Sequence, residues 1–206
     1  MIKNRIEAGK SLAKKLITFR KNAIVLAIPR GGVVIGDEIA KELGCNLDVV
    51  ISKKVTPPDS PEYAIGAITH DGTVFQGRNW EVYSRHPDFE NELTKKKQEV
   101  QRRLKNFRGS SDYELVDKIV ILVDDGIATG STVFAILNWL KKQKIKKIVL
   151  AVPVMPPETY HAMKDFCDEI VVLETPHDFS AVGQFYHEFL QISDDEVISI
   201  LKKYKY

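Results

Sequence analysis

Short runs of aliphatic and β-branched residues alternate along this chain with stretches in which apolar positions recur every three or four residues. Residues 23–28, 47–52, 119–123, 145–154 and 169–173 belong to the first kind. Residues 33–43, closed by Gly44, belong to the second, as does the stretch from Thr132 that carries Val133, Phe134, Ile136, Leu137 and Leu140. A strand covered on both faces reads as a continuous apolar run, whereas a helix lying on a sheet shows a periodic stripe. Their alternation predicts a doubly wound α/β fold around a mostly parallel sheet with right-handed crossovers. A charged amphipathic helix carrying Ile6, Ala13, Leu16 and Ile17 is expected at the start. Asp71-Gly72, lying between apolar runs, predicts a hairpin. Residues 91–107 predict a helix with Leu93, Val100, Leu104 and Phe107 on one stripe and Lys95, Lys96, Lys97, Arg102 and Arg103 outside it. Pro57, Pro58 and Pro61 mark an irregular connection before the hairpin, and no internal repeat or low-complexity stretch is evident.

The strand at 119–123 stops abruptly in Asp124, Asp125 and Gly126, followed by Ile127, Ala128, Thr129, Gly130, Ser131 and Thr132. In an open α/β sheet such a loop lies at the carboxyl edge, where ligands bind. The helix expected from Thr132 places unpaired backbone N–H groups and a partial positive charge at the end of this loop. Thr129, Ser131 and Thr132 add hydroxyl donors, and a phosphate dianion suits that set. Two adjacent carboxylates cannot serve the phosphate. At a separation of about 4 Å they repel by about 4 kcal/mol at an effective dielectric near 20. Donors or positive charge must therefore lie nearby, and a sugar diol with a hydrated Mg²⁺ would supply both. The loop reads as a sugar-phosphate site. A Walker A loop needs a lysine and a spacing that are missing here, a Walker B strand would lack its partner, and a purely structural turn would use Ser131 or Asp125 as a helix cap.

Val-Asp-Asp-Gly-Ile-Ala-Thr-Gly-Ser-Thr at 123–132 resembles the phosphoribosyl-pyrophosphate motif of type I phosphoribosyltransferases. The resemblance implies that Ala128, Thr129, Gly130, Ser131 and Thr132 hold a ribose 5-phosphate. It also implies that Asp124 and Asp125 take the ribose hydroxyls, one of them through Mg²⁺. Members that act on 6-oxopurines carry an acid where this chain has Ala128, which turns the expectation away from hypoxanthine and guanine. The turn Pro29, Arg30, Gly31, Gly32 follows a buried strand, and in the family this loop binds pyrophosphate. Arg30, Gly31 and Gly32 match it, with a non-proline cis peptide expected between Arg30 and Gly31. A dinucleotide-binding turn is the rival reading, but Gly31, Gly32 and Gly36 do not make Gly-x-Gly-x-x-Gly. Family members often set a basic residue against the pyrophosphate at the end of the next strand, which points to Lys53 or Lys54; an ordinary solvated charge pair is the alternative. The hairpin region corresponds to the flexible loop that closes over substrate. The segment after Thr175, with His177, Asp178, Phe179, Phe185, Tyr186, His187 and Phe189, corresponds to the hood that holds the base, although packing of a C-terminal helix explains the same residues. Over its full length the chain resembles a group of predicted phosphoribosyltransferases of undefined base specificity, through Arg5-Ile-Glu-Ala-Gly-Lys10, the 28–32 turn and Phe185-Tyr-His-Glu-Phe189.

With 206 residues, 44% of them hydrophobic, the chain can bury a core as one domain. The expected organisation is a core over about 20–175, a hood chiefly from 175–206, and a flexible hairpin and helix over about 62–110. Thirty basic residues against 28 acidic ones leave +2, which gives no electrostatic reason to invoke nucleic acid. The basic positions of 91–107 are balanced by Glu90, Glu92 and Glu99 and read as a solvated helix face. Cys45 and Cys167 suggest neither a disulfide framework nor a metal site, the five histidines lack ligand spacing, and no run is long enough to span a membrane. A cytoplasmic location is expected, and relatives are often homodimers. The expected function is Mg²⁺-dependent transfer of ribose 5-phosphate from phosphoribosyl pyrophosphate to a nitrogenous base, with release of pyrophosphate. The alternatives are a regulatory module of the same fold that binds phosphoribosyl pyrophosphate without turning it over, and a related fold that takes another phosphorylated ligand.

Overall fold

Strands that are apolar along their whole length must find cover on both faces, and here they do so beside one another in a parallel sheet. The computed structural model describes residues 1–57, 59–60 and 62–204, so Pro58 and Pro61 of the predicted irregular connection lie outside the described residues. In chain order the elements are α1 (Arg5–Lys15), β1 (Ala23–Ala27), α2 (Gly31–Leu43), β2 (Asn46–Val49), β3 (Ser52–Val55), β4 (Gly66–Thr69), β5 (Val74–Gln76), α3 (Trp80–Tyr83), α4 (Phe89–Arg108), β6 (Ile119–Val123), α5 (Ser131–Lys141), β7 (Lys147–Val154), α6 (Pro157–Met163), β8 (Glu169–Glu174) and α7 (Asp194–Leu201). They fall into two compact units. One comprises Met1–Val50, Glu114–Thr129 and Lys144–Tyr206, and the other Ile51–Tyr113 and Gly130–Gln143.

The first unit is built on a five-stranded sheet in the order β2-β1-β6-β7-β8. All its pairings are parallel, with Ala23 opposite Ile119 and Ala27 opposite Val123 along the central pair. Leu26, Val120, Ile121, Leu122, Val149 and Leu150 are fully buried, as the continuous apolar runs require. Helix α2 packs on β1, β2 and β6, and α1 packs on α2, β7 and β8. After β1 the chain turns one way to β2, while β6 lies on the other side of β1. The carboxyl ends of β1 and β6 therefore flank a topological switch point, the place where open α/β sheets admit ligands.

Two expectations change here. The predicted strand over 47–52 divides. Its first half pairs with β1, whose ladder runs out at Ala27, where the Pro29 turn begins; Ser52 onward pairs instead with β4, opposite Thr69. The N-terminal helix buries Arg5, Ala8, Gly9, Leu12 and Ala13, whereas Ile6 and Ile17 are 44% and 43% exposed. At about 100° per residue the stripe through positions 5, 8, 9, 12 and 13 turns Ile6 away, and Ile17 lies past the helix in a short 3-10 turn.

In the second unit β3, β4 and β5 form an antiparallel sheet. Val55, Ile65, Ile68, Trp80 and Phe89 make its core, with Val74, Tyr83 and Leu93 packed against them. The predicted hairpin is the β4–β5 connection. Asp71 stabilises it by accepting from the Thr69 hydroxyl (2.6 Å), the Thr73 amide (2.9 Å) and the Thr73 hydroxyl (2.9 Å), and Gly72 takes φ +95°. The predicted charged helix is α4, and its stripe is as expected: Val100, Leu104 and Phe107 are buried. His70 packs between Tyr113 and Trp139, at 5.4 and 5.0 Å between ring centroids. Burial pushes its pKa down. Among the described residues no helix is long and apolar enough to cross a membrane.

Candidate active site

The loops after β1 and β6 begin where apolar ladders end. The Ile28 amide still donates to the Val123 carbonyl at 2.8 Å, which ties the two strand ends together immediately before both loops depart. After β1 comes a cis peptide between Pro29 and Arg30, one bond earlier than expected, and then α2, which starts at Gly31. After β6 come Asp124 and Asp125.

Both glycines of the first loop are required by what lies against them. A Cβ on Gly31 would collide with the Asp125 carboxylate and would sit 2.6 Å from Arg5 Nε; on Gly32 it would meet the Val123 carbonyl oxygen at 2.9 Å and Asp124 Cα at 3.0 Å. The close approach of the two loops depends on the missing side chains. Gly31 and Gly32 thus lie beside Asp124 and Asp125 within one unit.

The two acids are held differently. Asp124 Oδ1 accepts from the Asp125 amide at 2.8 Å. Asp125 Oδ2 accepts from Arg5 Nε at 2.8 Å and lies 2.7 Å from Arg5 Nη2. The third guanidinium nitrogen, Nη1, donates to the Leu190 carbonyl at 2.8 Å, and the Phe189 ring lies 3.8 Å from the guanidinium carbon. The Tyr186 hydroxyl donates to the Asp125 backbone carbonyl at 2.7 Å. Asp124 keeps part of its surface open, but the protein atoms packed around its carboxyl raise its pKa well above the usual carboxylate range, and the neighbouring Asp125 charge adds to the effect. Burial, and then the same Asp125 charge, push the Tyr186 phenol up as well, so it serves as a fixed donor.

The remaining predicted residues are placed as follows. Arg30 is half-buried, with Nη1 3.6 Å from Asp194 Oδ1 at the start of α7. Ala128 and Thr129 are exposed, and the Ala128 carbonyl accepts from the Thr159 hydroxyl at 2.6 Å. In the second unit Gly130 takes φ +76°, and α5 starts at Ser131 with no side-chain cap. The capping role that a purely structural turn would give these hydroxyls is thus not observed among the described residues. Lys53 and Lys54 do not stand at the end of a parallel strand. They lie within β3 of the second unit, exposed, and Lys53 pairs with Glu99 of α4. Burial, with Lys96, Arg103 and Arg102 nearby, lowers the Lys53 pKa.

Arg5, named only within the opening match, and Tyr186 and Phe189, named only as hood residues, meet the acids or their partner in a way the sequence did not suggest. Arg5 had a legible signal, because it occupies the stripe of otherwise small and apolar positions that α1 buries. Tyr186 and Phe189 lie in a segment with only a short 3-10 turn, Val182–Phe185, and not on the C-terminal helix. This segment is held to the N-terminus by the Ile2 amide donating to the Phe185 carbonyl at 2.8 Å and the His187 amide donating to the Ile2 carbonyl at 2.9 Å.

The phosphoribosyl transferase domain family matches residues 1–189. Two Mycobacterium tuberculosis proteins, from strains CDC 1551 and H37Rv, provisionally designated phosphoribosyl transferases, are 38% identical over 208 aligned positions that take in 97% of this chain. The chain spans about half the length of these curated relatives, 46%. Among solved structures, the Thermus thermophilus protein TT1426 superposes with a TM-score of 0.83 at 35% identity, covering 98% of each chain. A purine phosphoribosyltransferase from Pyrococcus horikoshii shares the fold, with a TM-score of 0.51 at 20% identity over 90% of each chain. A parallel sheet with an acidic pair and a glycine turn at its switch point, together with these matches, places the chain in the phosphoribosyltransferase family.

Proposed function

We propose that the protein transfers ribose 5-phosphate from phosphoribosyl pyrophosphate to a nitrogenous base with release of pyrophosphate, and that the reaction depends on Mg²⁺. The observation that carries this reading is the contact of the Gly31-Gly32 turn with Asp124 and Asp125 at the ends of two adjacent parallel strands. Amides of the glycine turn, at the start of a helix without a side-chain cap, suit pyrophosphate, with Arg30 alongside. The acids suit the ribose hydroxyls. The 128–132 loop that continues from them suits the 5-phosphate, through backbone amides and the hydroxyls of Thr129, Ser131 and Thr132.

The donor set fits Mg²⁺ in one particular way. Carboxylate oxygens are the hard ligands that this ion takes, but among the described residues no group of three or more acidic, histidine or cysteine side chains could hold a metal. Mg²⁺ typically binds through one or two carboxylates plus substrate phosphates and water, and Asp124 and Asp125 supply that share. When bound, the ion would neutralise charge on the departing pyrophosphate. The protein's own residues would set carboxylate charge beside the ring as it becomes cationic. Catalysis of this kind is positioning and electrostatics. With Ala128 in place of an acid, the loop brings no general base for the incoming nitrogen, which favours acceptors already nucleophilic at neutral pH over 6-oxopurines.

The test is to incubate the protein with Mg²⁺ and phosphoribosyl pyrophosphate against a panel of purines, pyrimidines and simple amines while following pyrophosphate release. Release that depends on one acceptor is the expected result. Tight binding of phosphoribosyl pyrophosphate without release would replace the enzyme by a sensor of that ligand, and no binding at all would sink both readings.

A further inference from the structure

Arg5 lies outside both motifs of the site, yet three segments of the chain converge on its guanidinium. Its Nε and Nη2 both address a single oxygen of Asp125, Oδ2, at 2.8 and 2.7 Å. Its Nη1 donates to Leu190 at 2.8 Å, the Phe189 ring covers its face at 3.8 Å, and the Gly31 turn lies close enough that a Cβ would come within 2.6 Å of Nε. Its side chain is 10% exposed and that of Asp125 is 18% exposed. The Asp125 carboxylate, the Phe189–Leu190 segment and the Gly31 turn thus hold the guanidinium in place. A buried ion pair contributes little net stability compared with apolar side chains of the same volume. The fold therefore has no evident need for a charge on the buried stripe of α1, whereas a site with two adjacent carboxylates does.

We propose that Arg5 is a positioning residue for the acidic pair. It occupies one oxygen of Asp125, fixes the direction of the other, and offsets part of that residue's charge, so that Asp125 offers a single acceptor for a sugar hydroxyl while Asp124 takes the larger share of a cation. The Tyr186 hydroxyl holds the Asp125 backbone from the other side at 2.7 Å. The inference rests on the functional reading for the identity of the hydroxyl, but its charge-masking part concerns the protein alone and is measured without sugar, phosphate or base.

The experiment is the binding of Mn²⁺ to the ligand-free protein, followed by the electron paramagnetic resonance signal of the free ion. Arg5→Gln unmasks a second carboxylate and should bind Mn²⁺ at least about tenfold more tightly than wild type, since one added close charge is worth a decade or more of affinity. Arg5→Lys, which restores the charge, should return to within about threefold of wild type, and the Arg5→Gln/Asp125→Asn double variant should lose the gain. A clamp with a merely structural role would lower thermal stability in Arg5→Gln and leave Mn²⁺ affinity where it was, and that result overturns the proposal. Should Arg5→Gln fail to fold, the double variant, which keeps the wild-type net charge and leaves neither charge unpaired, decides: affinity within about threefold of wild type supports masking, and a loss of about tenfold or more overturns it, because the Asp125 charge would then have been acting on the ion. Failure of phosphoribosyl pyrophosphate to bind would defeat the functional reading and leave this result standing.

Discussion

Asp124 and Asp125 are neighbours in sequence but not equivalent in chemistry. Asp125 has an arginine partner, whereas Asp124 sits among protein atoms next to a negative charge, and both influences drive its pKa upward. The sign for stability follows. Asp124 is neutral to folding below the ordinary carboxylate range and becomes a cost as pH rises through that range toward its raised folded-state value. Asp124→Asn should therefore leave the melting temperature at neutral pH unchanged or higher while lowering pyrophosphate release by about 10²-fold or more, the scale seen when one preorganised electrostatic contact is removed. Unchanged turnover in this variant would count against its assigned role. Asp125→Asn should behave differently, because it strips a buried arginine of its counter-charge and should lower stability by up to about 3 kcal/mol in urea titrations. Gly31→Ala is expected to cost about 1–3 kcal/mol and to suppress phosphoribosyl pyrophosphate binding, since the methyl group and the Asp125 carboxylate cannot occupy the same place; a variant that folds and binds like wild type would refute this packing.

At the scale of elements, the loops are positioned by helices that are themselves anchored. Helix α2, which starts at Gly31, carries Asp37 on its inner side, where the carboxylate is 7% exposed. Lys41 Nζ at 2.7 Å, Lys203 Nζ at 3.2 Å and the Tyr204 hydroxyl at 2.7 Å meet that carboxylate and fasten the chain after α7 to α2. Burial alone would raise the Asp37 pKa, but hydrogen bonds from Lys41, Tyr204 and Lys203 outweigh it and hold the group below its usual range. A depressed acid stabilises the fold above its unfolded pKa and loses that contribution as pH falls through the folded one. Asp37→Asn should thus lower stability by about 1–3 kcal/mol at pH 7. The gap to wild type should hold down to about pH 4, near the unfolded value, and then close with further acidification. A gap that does not change with pH would show that the interaction is not ionic. The β4–β5 hairpin is held by the side chain of Asp71, which hydrogen bonds to Thr69 and Thr73 hold below its ordinary range against the opposing effect of burial.

For the whole molecule, the functional reading predicts that ligand and fold are thermodynamically linked. Phosphoribosyl pyrophosphate with Mg²⁺ at about 100 times its dissociation constant should add about 2.7 kcal/mol of stability, visible as a rise in melting temperature that neither component alone reproduces. The sequence by itself determined the strand that carries the acids, since an apolar β-branched run ending in two carboxylates has no other comfortable place than the centre of a parallel sheet; β6 has the predicted bounds of 119–123. It also determined the glycine turn, the hairpin around Asp71-Gly72 and the stripe of α4, because each is written in local spacing. Only the tertiary structure decided what surrounds the acids. Arg5 and Asp125 are 120 residues apart, and Tyr186 and Asp125 are 61 apart, so no local pattern joins them. Tertiary pairing likewise divided the run at 47–52, because hydrogen-bond partners, not hydrophobicity, fix where a strand leaves its sheet. Periodicity reports which face of an element is buried; which charge meets which across the chain is settled only when the sheet order brings distant ends to one point.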